Sequence, residues 1–180
     1  MPVLVWPSYP DAPITSEYGW RMHPIYGYPK WHNGVDLGIP EGSPIFASSS
    51  GRIKTVNPDP TVPSGIFIVL DHQNGMSSSY SHLSEVVVNK GEFVPQGALI
   101  GLSGNTGSST GAHLHWVVRD PPKSERPKGD VNPLNYVRGN YRLKKGGYIK
   151  GGAPPALLGI LVAAGAGYWI YKKARKKKWI

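Results

Sequence analysis

Cysteine is absent from the 180 residues. No disulfide can staple this chain and no thiolate can bind a metal, so any metal site must be built from His, Asp or Glu. Acidic side chains are missing from the C-terminal part: all eleven fall at or before Asp130. The net charge of +9 is therefore uneven. Residues 1–137 carry nine Lys and Arg against those eleven acids, whereas residues 138–180 carry the other eleven basic residues and no acid. A domain that binds DNA or RNA is basic on its own surface. The body of this chain is not, so no nucleic-acid partner is expected and the basicity belongs to a tail. A helical period sustained over ten or more residues is lacking before Pro154, which argues against a helical bundle. The opening MPVLVWPSYPDAP has neither a basic start nor an apolar run of the length a secretory signal needs.

Glycine (23) and proline (18) are abundant, and together with a 39% hydrophobic fraction they indicate many turns around a real core. Short β-prone runs recur at 44–47, 51–56, 65–70, 76–81, 99–103 and 113–119. Turn-like sequences separate them, such as Asp71-His72-Gln73-Asn74-Gly75 and Gly104-Asn105-Thr106-Gly107. The pattern predicts a mainly β domain of antiparallel sheet, without internal repeats.

Six histidines occur, and three segments hold chemistry. Trp31-His32-Asn33-Gly34-Val35-Asp36 has an H-x-x-x-D spacing, Gly111-Ala112-His113-Leu114-His115-Trp116 has an H-x-H on a predicted strand, and Tyr80-Ser81-His82-Leu83 sets a histidine at a strand end. Residues i and i+2 of a strand point to one face about 6.5 Å apart, so two imidazoles of H-x-H can share one metal site. H-x-x-x-D on a straight strand would spread its side chains over about 13 Å, so it needs a bend, which Gly34 would supply. Two nitrogens and one carboxylate oxygen leave a fourth tetrahedral position open, the pattern of catalytic zinc. His72 reads as a hairpin residue, His23 as structural at least as readily as catalytic, and Tyr80 as lining a groove or packing in its strand.

These segments, in order, resemble the lysostaphin-like (LytM-type) zinc metallopeptidases of peptidoglycan. The resemblance runs from about Ile14 to Tyr136. It includes Thr15-Ser16-Glu17-Tyr18-Gly19-Trp20-Arg21, His23-Pro24, His32-Asn33-Gly34-Val35-Asp36-Leu37, Pro40-Glu41-Gly42, Tyr80-Ser81-His82-Leu83, Gly104-Asn105-Thr106-Gly107 and Gly111-Ala112-His113-Leu114-His115. It implies a groove-lining site in which His32, Asp36 and His115 hold Zn²⁺. His82 and His113 would flank the open position, activating water or stabilising an oxyanion, with the two tasks undivided between them. The implied substrate is the peptide of bacterial peptidoglycan, in an endopeptidase domain over 14–138 preceded by an extension, 1–13. Two other readings are a non-catalytic wall-binding module and a host enzyme of wall remodelling.

From Gly151 to Tyr171 no residue is charged. A helix over 154–171 would span about 26 Å, near the hydrocarbon thickness of a bilayer. Tyr168, Trp169 and Tyr171 end it, and Lys172, Lys173, Arg175, Lys176, Lys177 and Lys178 follow in the basic tail 172–180. Gly159, Ala163 and Gly167 form a small-residue face suited to helix–helix association. The expectation is one transmembrane helix, joined to the enzyme by a basic Gly/Lys linker over 139–153 that rests on lipid headgroups or serves as a solvated hinge. The alternative is a buried or interfacial helix. A wall-cutting enzyme acts outside the cytoplasm, so with no secretory signal the expected location is the internal membrane of a phage virion, otherwise a bacterial inner membrane.

Overall fold

A computed structural model describes residues 4–8, 12–23, 27–72, 74–124, 126 and 128–137. The chain forms short antiparallel strands: β1 (Ile14–Ser16), β2 (Gly19–Met22), β3 (Pro29–His32), β4 (Val35–Leu37), β5 (Pro44–Phe46), β6 (Gly51–Asn57), β7 (Ile66–Asp71), β8 (Ser77–Val86), β9 (Phe93–Val94), β10 (Leu99–Ser103), β11 (Leu114–Arg119) and β12 (Asp130–Val131). Two 3-10 turns, Pro121–Lys123 and Pro133–Asn135, are the only helical segments among the described residues. The expected mainly β, antiparallel class is what the chain adopts.

Ten strands form one sheet in the order β1-β4-β11-β8-β7-β6-β9, with β12 on β11 and β10 bridging β8 to β5. The other two, β2 and β3, make a separate ribbon in register Trp20↔Trp31 and Arg21↔Lys30. Each predicted run from 44–47 to 113–119 coincides closely with a strand. β8 is longer than the sequence indicates. It pairs with β11 over Ser77–Ser81 and with β7 from Ser77 to Leu83, and pairs with β10 over Leu83–Val86. The serine-rich start of β8 is buried because β7 and β11 cover both its edges. Ser48 N and Ser78 Oγ donate to the Tyr80 hydroxyl at 2.8 Å, and Ser48 Oγ shares a 2.7 Å hydrogen bond with it. Tyr80 thus packs in its strand, fully buried, and does not line a groove.

The core gathers Val35, Leu37, Ile45, Ile53, Ile68, Leu70, Leu83, Ile100, Leu114 and Trp116. Part of the expected N-terminal extension belongs to it. Leu4 is fully buried, Trp6 meets Trp116 edge to face at 6.0 Å, and Leu4 N donates to Tyr136 O at 3.1 Å beside a parallel bridge to Val137. The expected linker 139–153, transmembrane helix 154–171 with Gly159, Ala163 and Gly167, and tail 172–180 lie outside the described residues. Among the described residues, no helix is long and apolar enough to cross a membrane.

Deleting a fully buried leucine side chain leaves a cavity that the surroundings fill only in part. Leu4→Ala should lower unfolding stability by about 2–5 kcal/mol in a denaturant titration. A change within the error of the titration would show that the segment 4–8 merely lies on the domain.

Candidate metal centre

The ribbon delivers the first functional side chain. Trp31 is wedged edge to face against Tyr18 (5.0 Å) and Trp20 (5.7 Å), lies 4.0 Å beneath the Arg126 guanidinium, and donates its indole N–H to Asp130 Oδ2 at 3.1 Å. Its neighbour His32 ends β3, and after Asn33 and Gly34 the chain enters the large sheet as β4. The bend that H-x-x-x-D requires is therefore a passage from one sheet to the other. Gly34 is needed there for closeness, not for a left-handed φ. A Cβ on it would lie 2.4 Å from Trp116 O and 3.0 Å from His115 Cε1.

Asp36 on β4 and His115 on β11 are direct cross-strand partners. His32 Nε2, Asp36 Oδ1 and His115 Nδ1 consequently converge: 3.1 Å from His32 to Asp36, 2.8 Å from His115 to Asp36 and 3.0 Å between the imidazoles. The remaining atoms are tied outward. His32 Nδ1–H donates to the Glu17 carbonyl at 2.7 Å, His115 Nε2–H to Asn33 Oδ1 at 3.2 Å, and Arg21 reaches Asp36 Oδ2 at 3.4 Å. With both ring protons directed away, two nitrogen lone pairs and a carboxylate oxygen face one another. Such a set calls for a cation, and neutral imidazoles with one carboxylate oxygen are ligands that suit zinc. Burial alone would raise the Asp36 carboxyl, but once an inward ring nitrogen carries a proton, hydrogen bonding with His115 and His32 outweighs burial and holds the group well below the usual carboxylate range. Burial also pushes the His115 imidazole down, against the pull of Asp36.

Two more histidines stand beside this trio. His113 lies just before β11, bridged to Gly104, with Nε2 3.9 Å from Asp36 Oδ1 and Nδ1–H donating to Gly111 O at 2.8 Å. The His82 ring is 4.6 Å from that of His113 and 6.1 Å from that of His115. His82 Nδ1–H donates to Thr106 O at 2.7 Å, which leaves Nε2 as the ring's basic atom. Desolvation lowers its pKa to about 4, so the ring is neutral near pH 7. His82 lies inside β8, not at its end. Its φ of +63° is the one positive value of a non-glycine residue among the described residues. It occupies the β-bulge between Tyr80 and Leu83, a left-handed position where glycine would be unstrained.

All five singled-out side chains, His32, Asp36, His82, His113 and His115, thus gather in one place. His23 and His72 do not. His23 stacks on Tyr28 at the ribbon's far end, and His72 closes the β7–β8 hairpin, donating its N–H to Met76 O. Sequence reasoning assigns no role to the groups that orient the five. Asn33 and Arg21 lay inside recognisable segments without a visible task, and the carbonyls of Glu17, Thr106 and Gly111 leave no trace in side-chain identity.

Comparison with known proteins agrees with this arrangement. The model of peptidase family M23 matches residues 30–133, and the chain belongs to that family, the lysostaphin-like or LytM-type peptidases. It is 40% identical over 104 residues to the peptidoglycan DD-endopeptidase ShyA of Vibrio cholerae, covering 57% of this chain and 24% of that protein. The chain spans about a quarter of the length of the curated relatives it matches first. Among solved structures, the catalytic domain of the antimicrobial peptidase lysostaphin from Staphylococcus simulans shares 30% identity at a TM-score of 0.62, covering 72% of this chain and 94% of that one. A zinc-containing peptidase from Vibrio cholerae shares 33% identity at a TM-score of 0.59, over 66% of this chain and 36% of that one.

A methyl group at Gly34 would have to displace β11 backbone next to His115. Gly34→Ala should cost about 1–3 kcal/mol of stability, as overpacking of a tight site does, and weaken metal uptake. Paired denaturant and zinc titrations check this, and an unaltered variant would refute the close-approach argument.

Proposed function

We propose that the chain is a zinc metalloendopeptidase that hydrolyses peptide cross-links of bacterial peptidoglycan. The observation that carries the reading is the convergence of His32 Nε2, Asp36 Oδ1 and His115 Nδ1 with their ring protons held outward, beside two imidazoles that keep Nε2 available. Membership of family M23 and the likeness to ShyA and lysostaphin support it. His32, Asp36 and His115 would hold one Zn²⁺. Zinc bound there supplies a Lewis acid that brings the pKa of water towards 7 and polarises a carbonyl.

The flanking pair does the proton work. Water adds to the scissile carbonyl carbon as an Nε2 of the His82–His113 pair accepts its proton. As the C–N bond breaks, the same proton passes to the departing amine nitrogen. While it holds that proton, the Nε2–H also stabilises the developing oxyanion. The burial that keeps His82 neutral keeps its Nε2 lone pair ready at neutral pH. Arg21, on Asp36 Oδ2, leaves a single oxygen of that carboxylate facing the two imidazoles.

The reading extends to location. The uncharged run 151–171 and the six cations after it support a single C-terminal span over 154–171, facing a neighbour through Gly159, Ala163 and Gly167. The membrane proposed is the internal one of a phage particle that uses the enzyme in genome entry or lysis. The other reading is a bacterial inner membrane with a role in wall remodelling.

In a zymogram on cell walls, the protein should clear the gel, and a chelator should abolish clearing until zinc is restored. His82→Ala and His113→Ala should keep one zinc per chain and lower turnover about 10²-fold or more, whereas His32→Ala, Asp36→Ala and His115→Ala should lose the metal. Clearing by the wild type that survives the chelator would refute the zinc reading.

Fractionation checks the anchor. The full-length protein should stay with membranes after a high-salt wash and need detergent, whereas residues 1–140 should be soluble and still cut walls. Recovery of the full chain in the aqueous fraction would remove the anchor, and its presence in uninfected cells, encoded apart from viral genes, would remove the phage reading.

A further inference from the structure

His82 is held in a backbone conformation that only glycine adopts freely, so some other group must hold it there. Thr106, in the turn after β10, meets it from both sides. The Thr106 carbonyl accepts the His82 Nδ1–H at 2.7 Å. The Thr106 hydroxyl donates to the carbonyl of Leu83, the next residue of the bulge, at 2.8 Å, and accepts the N–H of Ile66 at the start of β7 at 3.0 Å. One side chain thus uses its donor and its acceptor to join β7 to β8 where their register slips.

The surroundings hold Thr106 firmly. His82 N–H donates to Ser64 O at 3.0 Å, Gly107 N to Pro60 O and Ser108 N to Pro63 O, each at 2.9 Å. The loop 58–65 is therefore fastened both to the bulge and to the turn that carries Thr106. Gly107, at φ +73°, lies so close that a Cβ would be 2.4 Å from Gly65 N.

We propose that Thr106 is a positioning residue for catalysis: its hydroxyl locks the β8 bulge against β7, and its carbonyl fixes the Nδ1–H tautomer of His82, so that Nε2 faces the metal centre. Thr106 does not touch substrate. Its hydroxyl therefore governs turnover, and substrate capture is left alone. This rests on the reading of His82 as a catalytic group, and the test separates the two.

Kinetics of the full-length protein in detergent would be measured on a purified cross-linked muropeptide dimer that the wild type cleaves. Thr106→Val keeps shape and loses both hydroxyl bonds. It should lower kcat by about tenfold or more, a part of the roughly 10²–10⁴-fold that acid–base help contributes, with KM within about twofold and zinc content unchanged. Thr106→Ser should restore kcat. In a His82→Ala background, Thr106→Val should add nothing. Long-range proton–nitrogen NMR of ¹⁵N-histidine-labelled wild type should show His82 as the Nδ1–H tautomer, a readout free of any activity.

Wild-type kcat in Thr106→Val, an equal further loss on top of His82→Ala, or an Nε2–H tautomer would each overturn the proposal. Normal cleavage by His82→Ala would instead sink the catalytic reading of His82, while the tautomer still decides whether Thr106 holds the ring. Should Thr106→Val fail to fold, the tautomer and the serine variant carry the decision.

Discussion

Lone pairs repel, and this fold depends on holding three of them together. His32 Nε2, Asp36 Oδ1 and His115 Nδ1 lie within 3.1 Å of one another with both ring protons spent elsewhere. A cation must accompany that set, whether a proton on one imidazole or a metal ion, because an uncompensated carboxylate among neutral acceptors is costly to bury. The scaffold gives each of the three its own anchor. His32 comes from a ribbon stiffened by stacked aromatics, Asp36 from the short β4, and His115 from a β11 buried between two neighbours. The outward bonds to the Glu17 carbonyl, Asn33 and Arg21 then decide which atom of each side chain faces in. Orientation here is a matter of what lies behind the ligands.

Much of this was legible in the chain, and the failures follow a physical pattern. The runs at 51–56, 65–70, 99–103 and 113–119 read correctly because β-branched and apolar residues alternate between clear turn signals. β1 to β4 leave no sign because three or four residues are too few to show a period, although they carry two of the three converging groups. β8 reads as ending at Ser81 for a different reason. A histidine in a left-handed bulge looks like the end of a strand, and only the pairing with β10 shows that the strand resumes. The five site side chains were readable from their spacing and from the family resemblance. The bend at Gly34 was anticipated, but the closeness of Trp116 O that demands glycine depends on a strand eighty residues away. Tyr80 left two options open in the sequence, and burial chose the core.

The two halves of the centre are built on opposite logic. Of the three converging groups, Asp36 and His115 are set by direct cross-strand pairing and His32 by the end of the ribbon. The flanking imidazoles sit where regularity breaks: His82 in a bulge with positive φ, His113 on an isolated bridge before β11. Strain of order 1–3 kcal/mol at such a residue is tolerated only when neighbouring bonds over-determine it, as the loop 58–65 and the turn at Thr106 do.

The bridge between Leu4 and Val137 has a mechanical meaning. It sets the beginning and the end of the domain side by side as parallel segments, with Leu4 locked in the core and its N–H on Tyr136 O. Any pull applied through residues beyond Val137 therefore reaches the domain first at this junction. Drawn along their axis, these parallel segments load the Leu4 N–H to Tyr136 O hydrogen bond in shear. Just before that clasp in the chain lies β12, which pairs with the site-bearing β11, so the clasp takes load at the point nearest to the site strands.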